Sequence, residues 1–103
     1  MDRPPTFNLP ACVAELGGDW GKQVLGEIAG ARLKLFRTDG VGLPPETHPW
    51  DEALLMVEGE LTLTLDDVDV TLRAGDLQVI PAGCRHAIWP GSKSAFLLFD
   101  PEP

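Results

Sequence analysis

The segment LTLTLDDVDVTL, residues 61–72, decides the fold class of this chain. Leucine alternates with threonine over 61–65, and an apolar residue recurs at every second position over 68–72. Because successive side chains of a β-strand point to opposite faces, the pattern predicts two strands that each bury one face. Asp66 and Asp67 between them favour a tight turn, so the segment is predicted to form a β-hairpin.

The rest of the chain indicates the same fold class. Six further strand-like segments are separated by Gly, Pro or Asp, and they lie at 22–28, 31–38, 53–57, 77–80, 85–89 and 94–100. No window keeps an amphipathic helical period for three turns, and only residues 10–16 favour a short helical turn. Residues 39–46 are too rich in Pro and Gly for a strand and are predicted to be a loop. We therefore expect an all-β sandwich or barrel of roughly seven to nine strands.

Length and charge limit the class of partner. The 103 residues suffice for a single domain, 1–103. Sixteen Asp and Glu against eight Lys and Arg give a net charge of -8, so neither nucleic acid nor an anionic membrane surface is expected as a partner. No apolar run has membrane-spanning length, and the N-terminus lacks a secretory pattern. The two cysteines are too few for a disulfide framework, so we expect a cytoplasmic protein with free thiols.

The only two histidines, His48 and His86, are candidate metal ligands. Glu46 and His48 are two residues apart, so a strand would project both to the same side. A bend after His48 can bring Glu52 back beside it, and a Pro-Gly turn precedes the strand that carries His86. Imidazole and carboxylate ligands from separate segments suit a divalent transition metal such as Zn, Mn, Fe or Ni. For Glu46, an orientation toward solvent is an equally open alternative.

A pocket wall is predicted beside this site. Leu54 and Met56 share the strand face of Glu52, whereas Leu55 lies on the opposite face. Ile88 is assigned to the same pocket. These side chains would form an apolar wall for a small-molecule ligand or substrate.

The spacing of these residues resembles the two sequence motifs of small single-domain cupins. Eight of the ten motif positions match within residues 40–90, and the matching residues are Gly40, His48, Glu52, Gly59, Gly75, Pro81, Gly83 and His86. Glu46 replaces the first histidine of the first motif, which keeps a side chain able to bind a metal. Pro90 replaces the asparagine of the second motif.

The resemblance implies a cupin-type jelly-roll β-barrel with one metal in its mouth. It also implies a homodimer, since cupins commonly dimerise. Activities in the family range from dioxygenases, isomerases and lyases to non-catalytic binding, and a fold alone does not choose among them. Two hypotheses stay open: a metal-dependent enzyme for a small oxygenated or sugar-like molecule, and a non-catalytic binding or sensor protein whose pocket could lack a metal.

Overall fold

The chain forms one short helix and eight β-strands within residues 3–102, which the computed structural model describes. In chain order the elements are α1 (Leu9–Glu15), β1 (Gly21–Ile28), β2 (Ala31–Asp39), β3 (Leu43–Glu46), β4 (Glu52–Leu65), β5 (Val68–Arg73), β6 (Leu77–Ile80), β7 (His86–Ile88) and β8 (Lys93–Asp100). The helix lies where the short helical turn is predicted. Asn8 caps it by accepting a hydrogen bond of 3.0 Å from the backbone N–H of Ala11.

All strand pairs are antiparallel, and they build two sheets. The larger sheet has the order β1-β2-β8-β4-β6, and the smaller sheet has the order β3-β7-β4-β5. Apolar side chains from both sheets meet in one core, whose buried members are Leu54, Met56, Leu61, Leu63, Leu72, Ile88 and Phe96. The predicted all-β jelly roll is confirmed.

Strand β4 belongs to both sheets. Its first half pairs with β6 and β8, and its second half pairs with β5 and β7. The register against β8 shifts between Met56 and Glu58, and Gly59 has a φ of 74°. This irregularity exchanges the buried face, because even-numbered residues such as Leu54 are buried before it and odd-numbered residues such as Leu63 are buried after it. The sequence predicts two strands here, and the structure joins them.

A second apolar cluster lies on the outer face of the larger sheet. Helix α1 packs its buried residue Val13 against Leu35, Ala95 and Leu97. The helix therefore covers part of that face. No helix in the described part of the chain has the length and apolarity needed to cross a membrane.

The prediction of a loop over 39–46 is wrong for its last four residues. Leu43 and Glu46 pair with Ile88 and His86, so β3 is the terminal strand of the smaller sheet. A strand at a sheet edge tolerates prolines because the N–H groups of its outer side need no partner. The hairpin at Asp66 and Asp67 is confirmed, since both residues have positive φ angles, 44° and 69°.

Candidate metal centre

Three of the four predicted ligands converge on one point. Glu46 ends β3 and lies opposite His86, the first residue of β7, while His48 follows two residues after Glu46. The Oε1 atom of Glu46 is 3.5 Å from Nε2 of His48 and 3.8 Å from Nε2 of His86. One ligand atom from each residue lies within 4.8 Å of the other two. Ligands at about 2.0–2.2 Å from a tetrahedral ion are roughly 3.3–3.6 Å apart, so the spacing fits a metal.

Glu52 lies at the margin of this group. It begins β4, its side chain is buried, and its Oε1 atom is 3.2 Å from Nε2 of His86. Burial raises the pKa of Glu52 above its ordinary value of 4.5, the neighbouring histidines oppose this rise, and Asp100 adds to it through charge and a hydrogen bond. The three-residue group with mutually close ligand atoms does not include Glu52, so its role as a ligand stays a prediction.

The two imidazole rings are held by neighbouring groups. His86 donates a hydrogen bond of 3.0 Å from Nδ1–H to the carbonyl oxygen of Cys84, which leaves the lone pair of a neutral ring on Nε2. That nitrogen faces the two glutamates. The ring of His48 stacks on Trp50 with a centroid distance of 4.6 Å and an interplanar angle of 7°. Partners of this kind orient metal-binding histidines in proteins.

A cavity of about 200 Å³ opens beside these residues. Nine of its sixteen lining residues are apolar: Trp20, Phe36, Leu43, Leu54, Leu63, Ile80, Ile88, Phe96 and Leu98. Leu54 and Ile88, two of the predicted pocket residues, are among them. Met56 is buried in the core as its strand face requires, but its cross-strand neighbour Phe96 lines the cavity in its place.

The cavity wall also carries an ion pair that the sequence analysis missed. Nζ of Lys34 is 2.7 Å from Oδ1 of Asp100 and donates a hydrogen bond of 3.0 Å to the carbonyl oxygen of Glu102. Lys34 and Asp100 are only 3% and 2% exposed. Ala53 of β4 pairs with Phe99 of β8, and the next residues, Glu52 and Asp100, contact each other through their side chains. Lys34 occupies the same face of β2 as Phe36, but strand parity alone does not tell which face of β2 points into the cavity.

The donor set fits a first-row transition metal. Two imidazoles and one carboxylate on one side of an ion are typical of non-haem Fe(II) sites, and Zn²⁺ accepts the same ligand types. The second carboxylate, that of Glu52, is 3.2 Å from Nε2 of His86 and is close enough to approach an ion bound there. Glu46 is the most exposed of the three converging residues, with 45% of its side chain accessible.

Comparisons with known proteins agree with this fold. No curated protein matches the chain. Among solved structures, a cupin-2 domain containing protein from Shewanella frigidimarina has 25% identity and a TM-score of 0.83, with 93% of this chain and 94% of that chain covered. A cupin superfamily protein from Desulfitobacterium hafniense has 22% identity and a TM-score of 0.80, with 97% and 93% covered. KdgF from Halomonas has 20% identity and a TM-score of 0.69, with 81% and 79% covered.

The family comparison covers most of the sequence. The model of the Cupin domain family matches residues 36–99, which contain all four predicted metal ligands. The match extends beyond half of the chain and includes both motifs. The chain therefore belongs to the cupin-2 family.

Proposed function

We propose that this chain is a metal-dependent enzyme that acts on a small oxygenated molecule held in its cavity. One divalent transition metal would be held by Glu46, His48 and His86, with Glu52 beside it. The observation that carries the proposal is the convergence of these ligand atoms within 4.8 Å at a cavity of about 200 Å³. Three protein ligands would leave coordination positions open for a substrate.

The chemistry follows from the residues around the cavity. A bound metal would supply a Lewis acid that polarises a carbonyl or enolate oxygen, which is chemistry that isomerases and lyases use. The hydrogen bond from His86 to Cys84 keeps Nε2 directed toward the glutamates. The chain contains no tyrosine and no third histidine, and Lys34 of the cavity wall is paired with Asp100, so the carboxylates beside the site are the first candidates for acid and base groups. Glu52 is our candidate because its carboxylate lines the cavity and lies 3.2 Å from Nε2 of His86.

Metal content tests the ligand assignment. Protein purified without a histidine tag is expected to carry one equivalent of a transition metal per chain, measured by elemental analysis. His48→Ala and His86→Ala should each lose most of it, and Glu46→Ala should weaken binding. Glu58→Ala is the matched control, because Glu58 is exposed on β4 away from the cavity and should leave the content unchanged. Full occupancy in the double histidine variant would refute the site.

Turnover tests the enzymatic part of the proposal. Metal-loaded protein is incubated with panels of small carbonyl compounds, and products are followed by mass spectrometry. Conversion that disappears in the His86→Ala variant supports an enzyme. A metal-loaded protein that binds such compounds without converting any of them would contradict an enzyme and favour a binding or sensor role.

We also propose a cytoplasmic location. Cys12 and Cys84 are both unpaired, as expected in a reducing compartment. Cell fractionation with an antibody against the chain tests this, and recovery in a secreted fraction would contradict it.

A further inference from the structure

We propose that the ligand of this cavity has an apolar body with a single oxygen function at one end, and that the cavity rejects sugars. The inference rests on the proposed function in that the oxygen function would face the candidate metal centre. It adds the class of substrate, which the metal ligands alone do not define.

Three aromatic rings form much of the wall. Trp20 packs edge-on against Phe36 and Phe96, with centroid distances of 5.7 Å and 6.1 Å. The rings of Phe36 and Phe96 are 5.6 Å apart. The indole N–H of Trp20 is already used, because it donates to the carbonyl oxygen of Val41. This wall offers a ligand only apolar surface.

The polar residues of the wall offer few free hydrogen bonds. The sixteen described lining residues include no Ser, Thr, Asn, Gln or Tyr. Of the seven that are not apolar, four belong to the candidate metal centre. Lys34 is paired with Asp100 and with the carbonyl oxygen of Glu102, and the backbone N–H of Glu102 donates to Asp100. The exposed carboxylate of Glu102 is the remaining polar group of these three residues.

A sugar would lose more hydrogen bonds with water than it could form with the residues of such a cavity. Each hydroxyl that leaves water without a new partner costs about 1–3 kcal/mol, and a sugar carries several hydroxyls. A molecule with one oxygen gives up few hydrogen bonds with water, because that oxygen can bind at the candidate metal centre. The hydrogen-bonding groups of the cavity therefore select against a polyhydroxylated ligand.

The volume fits a small ring. An engineered cavity of about 150 Å³ in another protein, lined by Leu, Ile and Phe, stays dry and binds benzene. The cavity here measures about 200 Å³, and its nine apolar lining residues include the same three types, although seven charged or titratable residues complete its lining. A six-membered ring with one substituent therefore fits it.

A matched pair of probes tests the proposal. Cyclohexanol and myo-inositol share a six-membered carbon ring, but the first has one hydroxyl group and the second has six. Each is titrated into the full chain, as purified and after zinc loading, and binding is followed by methyl chemical shifts in NMR spectra. We expect cyclohexanol to shift the methyl signals of Leu54, Ile80 and Ile88, and to bind at least about tenfold more tightly than myo-inositol. Equal or tighter binding of myo-inositol, or no binding of either probe, would overturn the proposal.

Two leucine variants locate the binding site. Leu54→Phe fills the cavity and should abolish the cyclohexanol shifts, whereas Leu55→Phe, on the opposite face of β4, should keep them. Retained binding in a folded Leu54→Phe protein would place the probe elsewhere and contradict the inference. Metal content is measured on the same samples. Cyclohexanol binding by a protein that takes up no zinc would refute the proposed function alone. Preference for myo-inositol by a protein with a full metal site would refute this inference alone.

Discussion

The contributions of Lys34 and Asp100 to the stability of the fold depend on each other. Their ion pair is nearly removed from solvent, so either charge alone would be left buried without an opposite charge. Breaking a buried pair from one side costs about 3–5 kcal/mol, whereas replacing both partners by apolar residues is often neutral. Lys34→Met should therefore lower the free energy of unfolding by about that amount, and Lys34→Met with Asp100→Leu should recover most of it.

Urea denaturation measures this difference. Lys93→Met is the matched control, because Lys93 pairs with Asp39 at the surface, where 83% and 44% of the two side chains are accessible. An exposed pair of this kind is worth less than about 1 kcal/mol. If Lys34→Met lowers the free energy of unfolding no more than Lys93→Met does, the buried ion pair does not stabilise the fold more than an exposed pair.

Glu52 gives the metal-free protein a dependence on pH. Its pKa in the folded state is raised above 4.5, chiefly by burial. The folded state then binds the proton more tightly than the unfolded state, so the free energy of unfolding decreases as the pH rises from 4.5 through the raised pKa. Glu52→Gln should remove this decrease. Urea denaturation of both proteins at a series of pH values from 4.5 upward tests it, and parallel profiles would show that Glu52 does not titrate abnormally.

The candidate metal ligands could be predicted from the sequence, whereas the ion pair beside them in the cavity wall could not. Only two histidines exist, and strand parity relates Glu46 to His48, so a candidate site follows from the chain itself. Lys34 and Asp100 lie far apart in sequence, and their contact depends on the pairing of β2 with β8. Lysine also alternates with apolar residues on exposed strands, so its burial has no signal without that pairing.

At the level of elements, the irregularity in β4 determines which side chains reach the cavity. Gly59 has a φ of 74°, and a Cβ at this position would overlap the backbone carbonyl of Lys93. Gly75 also has a positive φ, 92°, but a Cβ there would meet open space. Gly75→Ala should lower the free energy of unfolding by about 1 kcal/mol, from backbone strain alone. Gly59→Ala should lower it by more than about 3 kcal/mol, because the overlap forces β4 and β8 apart.

Denaturation midpoints of the two glycine variants are compared with that of the natural chain. In addition, Gly59→Ala should disturb the amide signals of both sheets in NMR spectra, because β4 runs through both. Equal costs for the two variants would mean that the junction between the sheets relaxes around a methyl group.

The alternation of apolar residues made most strands predictable, and two exceptions show where this reasoning ends. Residues 43–46 contain two prolines, which argue against a central strand but are tolerated at an edge, and the position of a strand within a sheet cannot be read from its own residues. The continuity of β4 was hidden by the change of parity around Gly59. The pattern before it and the pattern after it look like separate strands until both halves are placed in their sheets.

At the scale of the whole molecule, the larger sheet leaves an apolar outer face. Helix α1 covers Leu35 and Leu97, but Leu77 and Val79 of β6 remain 60% and 56% exposed. They pair across the sheet with Leu55 and Ala53 of β4. β6 is also an edge strand. An exposed apolar patch at a sheet edge is suited to association with a second apolar surface.

We propose that a second copy covers this face in a symmetric homodimer. In size-exclusion chromatography with light scattering, the natural chain should have the mass of two 11.1 kDa chains. Val79→Glu should shift it to one chain, because a glutamate at the centre of the contact would be buried without a partner. Val68→Glu is the control, since Val68 is 66% exposed at the end of the smaller sheet, away from the outer face of the larger sheet. A monomeric natural chain would refute the dimer, and a Val79→Glu protein that remains dimeric would assign the interface to another surface.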